Sequence, residues 1–209
     1  LALLVIKLSP KAIHVGIPCA KLCAAGRNSN DVWHPDEATM KLISFSLELM
    51  DHQNQLGRLA SRENPVGSSL HKLDSVVALQ GTIDEPRLPW RHVRSDGCQL
   101  NLVYEGLEHG RKEYGMPMEK GQIWTSNFCL SRLGLRCRNP DALLGCTHQH
   151  RQVKGSHKVE DETTTRGTRW ESVAKRSGRY TPEAAAAYAL SVRAASQAVP
   201  AVPLSLIHI

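Results

Sequence analysis

Aromatic side chains are scarce in this 209-residue chain: Phe, Trp and Tyr make up 5%, with only two Phe. That scarcity argues against a stacking-rich surface for single-stranded RNA, which needs aromatic platforms. Long apolar runs are also missing. The opening "LALLVI" is six residues, far short of a membrane span, and it lacks the basic leader and small-residue cleavage site of a secretory signal. The six cysteines, at 19, 23, 98, 129, 137 and 146, are scattered through a chain too long to need stapling. Reduced thiols or a metal are expected rather than a disulfide framework, in an intracellular protein of cytoplasm, nucleus or nucleoid, with no membrane partner.

What is present suffices for one sizeable domain. Hydrophobic residues make up 41%, enough for a core, and the net charge is +6. Residues 1–104 hold 11 Lys/Arg against 10 Asp/Glu, and residues 105–209 hold 15 against 10, so the basic excess lies in the second half. A polyanion partner is compatible with that asymmetry; ordinary solvated lysines account for it as well.

Along the chain, "AIHVGIP" (12–18) is a β-branched run closed by proline and reads as a buried strand. In "HPDEATMKLISFSLELMDHQNQLG", Leu42, Ile43, Leu49 and Met50 fall at helical spacing, with Asp36 and Glu37 at the start and Gly57 as the stop. "RLAS" (58–61), closed by "ENP", makes a second strand. A strand–helix–strand unit of this kind implies parallel strands and a right-handed crossover. "SSLHKLDSVVAL" (68–79) reads as helix, and "CQLNLVY" and "GQIWTSNF" read as strands. The expected fold class is α/β: a partial Rossmann-like parallel or mixed sheet with flanking helices, plus an irregular basic C-terminal region. Residues 1–150 are taken as the catalytic-type domain and 151–180 as a polar linker. Residues 181–198 form a helix with a Thr N-cap and Pro at its first position. The tail 199–209, ending "PLSLIHI", is read as non-native.

Ligands collect beyond the carboxyl ends of parallel strands. Cys19 follows the carboxyl end of the first strand and Glu63 follows that of the second, 44 residues on. "PCAKLCAAG" (18–26) resembles the Pro-Cys-Gln-x-Phe-Ser-x-Ala-Gly motif of the DNA (cytosine-5) methyltransferases, and "ENP" (63–65) resembles their Glu-Asn-Val. Ala20, Leu22, Cys23 and Pro65 depart from those patterns. The resemblance implies Cys19 as nucleophile, Pro18 as the residue directing its loop, and Glu63 with Asn64 as the activating pair. The cofactor it implies is S-adenosylmethionine, and the partner a nucleic acid, DNA by preference. A thiolate adding to carbon 6 of cytosine makes carbon 5 nucleophilic, while a carboxyl group at ring nitrogen 3 activates the base. The target base must leave the stack. Lys21 and Arg27 could lower the thiol pKa or hold phosphate. Only 17 residues precede Pro18, too few for the glycine-rich turn that binds S-adenosylmethionine in the family. The chain is therefore expected to be an inactive fragment beginning inside a domain. "EKGQIWTSN" (119–127) occupies the region of the family's Gln-x-Arg-x-Arg motif, with Lys120 and Gln122 as substitutes. Set against this, Cys19 could simply pack beneath its loop, and Glu63 could cap a turn or pair with Arg62 in water.

"CRNPDALLGCTHQH" (137–150) supplies a second constellation. Cys137, Cys146, His148 and His150 could complete a tetrahedral zinc site with Cys129 as a substitute ligand, its role structural. Two buried thiols and two surface histidines are the alternative. Arg151, Lys154, His157 and Lys158 would form a phosphate-facing edge. The alternative function is a non-catalytic, basic nucleic-acid-binding module clamped by zinc.

Overall fold

The computed structural model describes residues 9–17, 22, 35–104, 115–137, 150–152, 156–160, 165, 168–172 and 180–198; of Glu119 and of residues 151–152, 156–160 and 168–172 it describes the backbone alone. Strand β1 (Ala12–Gly16) precedes helix α1 (Glu37–Gln55), and β2 (Leu59–Pro65) precedes helix α2 (Asp74–Gln80). Strands β3 (Arg91–Asp96), β4 (Met118–Glu119), β5 (Gly121–Ser126), β6 (Arg151–Gln152), β7 (Ser156–Glu160) and β8 (Thr168–Ser172) follow, and helix α3 (Pro182–Ala198) comes last.

The main sheet has the order β1-β2-β5-β3. Strand β1 pairs with β2 in parallel, as the strand–helix–strand reading requires, and β5 runs antiparallel to both β2 and β3. The fold is thus α/β with a mixed four-stranded sheet flanked by helices. Two small ribbons accompany it, β4 with β6 in parallel and β7 with β8 antiparallel.

Helix α1 starts where Asp36 accepts a hydrogen bond from Thr39 N at 2.8 Å and satisfies one of the orphan donors of the first turn. It stops at Gly57, whose φ of +65° suits glycine. Its buried stripe is Ile43, Leu47 and Met50; Leu42, predicted to face inward, is 41% exposed. Helices α1 and α2 cover one face of the sheet. There Met50 and Trp90 pack on Ala60, with Ile13 and Val15 beside them. Helix α3 covers the other face, Ala184 and Ala187 lying against Leu59, Trp124 and Val93. Its N-terminus is capped as the sequence predicts: Thr181 Oγ1 accepts from Ala184 N at 3.1 Å.

Some expectations change, and one strand was not anticipated. The helix expected over 68–79 is a 3₁₀ turn at Ser69–Lys72 followed by α2. "CQLNLVY" is not a strand: Gly97–Leu100 is a 3₁₀ turn, and Asn101 after it is left-handed at φ 56°, a conformation Asn tolerates. "RHVRSD", with one apolar residue in six, is the edge strand β3. Residues 151–180, taken as a linker, contain the β7–β8 ribbon. No helix among the described residues is long and apolar enough to cross a membrane.

Candidate active site at the C-terminal end of the sheet

Because β5 runs against its neighbours, the C-terminal ends of β1, β2 and β3 meet the start of β5 at one end of the sheet. Glu63 and Asn64 lie there. Gly16 is in register with Glu63, and Asn64 Nδ2 donates to the Ile17 carbonyl at 3.1 Å. The chain therefore leaves β1 beside the Glu-Asn pair. It is described again at Leu22, which is buried and whose carbonyl accepts from both N and Oγ of Ser69 at 2.8 Å. Pro18, Cys19, Lys21 and Arg27 lie outside the described residues.

Alternation along β2 sends Glu63 and Asn64 to opposite faces. Asn64 points toward α2 and is 1% exposed; its Oδ1 has no hydrogen-bond partner among the described residues. Arg62 shares that face and is fully buried, donating from Nε to Gln80 Oε1 at 2.8 Å. Desolvation pulls its guanidinium down to about 10, offset in part by Glu63. A solvent-exposed Glu63–Arg62 pair is thereby excluded. Nearby His71, held at Nε2 by the Pro65 carbonyl at 3.1 Å, is lowered to about 4, first by burial and then by the Arg62 charge.

On the other face Glu63 is held at both carboxylate oxygens. Gln122 Nε2 donates to Oε1 at 3.0 Å, and the Tyr180 hydroxyl donates to Oε2 at 3.3 Å. Tyr180 OH lies 3.0 Å from His14 Nε2, and His14 Nδ1 lies 3.0 Å from Ser61 Oγ, which is 2.8 Å from Tyr188 OH. Tyr180 has one proton, and the carboxylate takes it. The Tyr180 oxygen must then accept from His14 Nε2–H, which leaves Nδ1 as an acceptor facing Ser61 Oγ, whose proton it shares with the Ile13 carbonyl at 3.3 Å. Neutral imidazole is what this chain needs, and burial supplies it by pulling His14 down to about 4. Burial, the charge of Glu63 and the hydrogen bond to it together raise Tyr180. The rings close the group: Trp124 lies 5.3 Å from Tyr180 and 6.0 Å from Tyr188, centroid to centroid, while its Nε1 donates to Ser95 Oγ at 2.9 Å.

Sequence reasoning put Glu63 just past a strand at 58–61, whereas β2 runs Leu59–Pro65 and holds both Glu63 and Asn64 near its C-terminal end. Asn64, expected to act with Glu63, faces away from it and binds the Ile17 carbonyl. Sequence reasoning also located Gln122 nearby without its contact. It missed His14 and Tyr180. No sequence pattern marked them: of the chain's ten aromatic residues, the three that converge near Glu63 come from positions 124, 180 and 188.

At the same end of the sheet, beyond β3, Cys98, Cys137 and His150 bring one ligand atom each to within 4.8 Å of one another, a group that could hold a metal ion. Cys137 Sγ is 3.4 Å from His150 Nε2. Two of the four ligands expected from sequence are therefore together, and Cys146 and His148 lie outside the described residues. The substitute is Cys98, not Cys129, which is exposed and donates to Ser131 Oγ at 3.3 Å. None of the described cysteines is in a disulfide. Of the expected phosphate-binding residues, Lys120 belongs to this end and its carbonyl accepts from Gly97 N at 2.7 Å; the side chain of Arg151, and Lys154 altogether, lie outside the described residues.

No family model matches the chain, and no curated protein or solved structure does either.

S-adenosylmethionine finds no cradle among the described residues. No strand there runs through a glycine-rich turn into a helix, and β2 leads by Val66 and Gly67 into a 3₁₀ turn at Ser69–Lys72. A groove of about 620 Å³, lined by Arg58, Leu59, Asn127, Phe128 and Cys129 among others, opens at the opposite end of the sheet. It is remote from Glu63 and takes no part in the site.

Proposed function

We propose that the chain carries part of the catalytic domain of a DNA (cytosine-5) methyltransferase-like protein. One observation supports this reading above the rest: β1 and β2 are parallel, Gly16 is in register with Glu63, and Asn64 binds the Ile17 carbonyl. The point where the chain leaves β1 for the Pro-Cys segment is thus a neighbour of the Glu-Asn pair, as shared chemistry on one base would need.

In this reading the Cys19 sulfur attacks carbon 6 of a flipped cytosine, and the Glu63 carboxyl group is hydrogen-bonded at ring nitrogen 3, where it activates the ring for that addition. Gln122 and Tyr180 orient the Glu63 carboxyl group, and His14 fixes Tyr180. Lys21 and Arg27 hold phosphate. The methyl donor would be S-adenosylmethionine. Since the described residues offer it no cradle, the roles assigned to this chain end at the base. The test is transfer of labelled methyl from S-adenosylmethionine to a cytosine-containing duplex, measured on this chain and on a form extended upstream. In whichever form is active, Cys19→Ala abolishes transfer and Glu63→Gln lowers it by about 100-fold or more. Full transfer in Cys19→Ala removes the reading.

A second reading, a non-catalytic nucleic-acid-binding module with zinc as a clamp, is favoured by the Cys98–Cys137–His150 group and by the basic excess of the second half. It predicts salt-sensitive DNA or RNA binding that persists in Cys19→Ala and Glu63→Gln and weakens when Arg151 and Lys154 are neutralised.

A further inference from the structure

Three segments distant in sequence converge on one spot beyond β3. Cys98 stands in the 3₁₀ turn that ends β3, Cys137 follows the turn at Ser131–Leu133, and His150 immediately precedes β6. A tetrahedral zinc with Zn–S of about 2.3 Å and Zn–N of about 2.0 Å has edges of about 3.8 Å between sulfurs and about 3.5 Å between sulfur and nitrogen. The 3.4 Å from Cys137 Sγ to His150 Nε2 matches the second edge, and all three atoms fit inside 4.8 Å. All three side chains are half-buried, so the spot is sheltered and still open to an entering ion. Hydrogen bonds to Asp96 hold the Cys137 segment in place independently of any metal. Asp96 N donates to the Leu135 carbonyl at 2.9 Å, and Asp96 Oδ2 accepts from Cys137 N at 2.8 Å and from Arg136 Nε at 3.2 Å. Asp96 thus ties the Cys137 segment to the strand that delivers Cys98.

We propose that Cys98, Cys137 and His150 together bind one zinc ion in the reduced protein, with a water or another donor at the fourth vertex. Two thiolates and an imidazole suit a borderline-soft divalent ion and disfavour magnesium or calcium, which take oxygen ligands. The ion staples the end of β3 to the segment after the Ser131–Leu133 turn and to the β4–β6 ribbon. Removing it loosens that edge of the sheet. Metal binding stands or falls independently of methyl transfer and of nucleic-acid binding.

The test is titration of the full, reduced, metal-free chain with zinc chloride against a chromophoric chelator, with cobalt as a spectroscopic substitute. One zinc per chain is expected, with a thiolate-to-cobalt charge-transfer band. Since losing even an outer-sphere partner costs about 10–100-fold in affinity, Cys98→Ser and His150→Gln should each weaken zinc binding by about 100-fold or more. Cys129→Ser should bind as the unaltered chain does. Stoichiometry near zero, or a cobalt complex without the charge-transfer band, overturns the proposal without recourse to any variant. Wild-type affinity in Cys98→Ser overturns it too, because Cys137 and His150 would then be binding without the third ligand.

Discussion

Acid should destabilise this protein through His14 in a window set by its burial. The unfolded histidine titrates at about 6.5, whereas the folded one is pulled down to about 4 because burial disfavours the imidazolium. Between those values the unfolded chain binds more protons than the folded one, so stability rises with pH. It is complete above about pH 7, is lost as pH falls through 6.5, and the loss levels off near pH 4. The gap is worth about 3 kcal/mol at full extent, and about 2.5 kcal/mol at pH 4.5. The structure gives the loss a local meaning. A proton on Nδ1 turns that atom from an acceptor into a donor toward Ser61 Oγ, so the order Tyr188–Ser61–His14–Tyr180–Glu63 must be rearranged at its centre, with the Ser61 proton turning to the Ile13 carbonyl. Urea unfolding followed by the fluorescence of buried Trp90 and Trp124 measures it. With a urea slope of about 2 kcal/mol/M, the His14 contribution is about 1 M in midpoint between pH 7.5 and 4.5. His14→Gln, which cannot titrate, should lose that much less midpoint over the same interval; His71 and His92 remain to give both proteins a common acid slope. Parallel midpoint curves for the two proteins would refute the reasoning.

Two further expectations concern the frame that holds the site. Asn127 Oδ1 accepts from Ala60 N at 2.9 Å, and its Nδ2 donates to the Arg58 carbonyl at 2.8 Å and to Asn54 Oδ1 at 3.1 Å. Asn127→Ala orphans these groups and should cost about 2–4 kcal/mol in denaturant unfolding; a loss under about 0.5 kcal/mol would show that water replaces the side chain. Arg62→Met keeps a stem of similar shape and removes a buried guanidinium whose Nη1 is unpartnered among the described residues. It should unfold within about 1 kcal/mol of the unaltered chain, whereas Arg62→Ala, which leaves a cavity, should cost about 3 kcal/mol or more. Equal losses in the two would show that the charge, not the volume, matters at this position.

How much of this was legible in sequence depended on the range of each interaction. Helix α1 and strands β1 and β5 carry their periods within one window, and the Thr181 cap is a local hydrogen bond, so these were readable. Strand β3 was hidden because it is an edge strand, and an edge strand with one solvated side needs few apolar residues. "CQLNLVY" misled because its apolar residues serve a turn: Leu100 joins the core under α3, while Leu102 packs with Tyr104 and Met118. The site followed the same rule. Glu63 and Asn64 are adjacent in a motif and were found. Tyr180 reaches Glu63 across 117 positions, and Cys98 reaches Cys137 from 39 positions upstream of it. No spacing pattern encodes contacts that only the strand order creates.

That strand order also links the two clusters. β5 is the shared element: Gln122 holds Glu63 on one side, and Gly121 faces Asp96 on the other. Side chains crowd Gly121 here: a Cβ on it would come within 2.9 Å of Val66 Cγ2, with Asp96 Oδ1 at an ordinary contact distance of 3.6 Å. Asp96 in turn positions Cys137 by its carboxylate and precedes Cys98 by two residues. The path from the Cys98–Cys137–His150 group to the Glu63 carboxylate is therefore one strand wide, and it runs through main chain, the Asp96 carboxylate and the Gln122 amide. A mixed sheet makes this arrangement natural. Inserting an antiparallel strand between two that run together brings its first residues to the end where the others finish, and gives that end a donor, Gln122, that an all-parallel sheet would have carried away to the opposite edge.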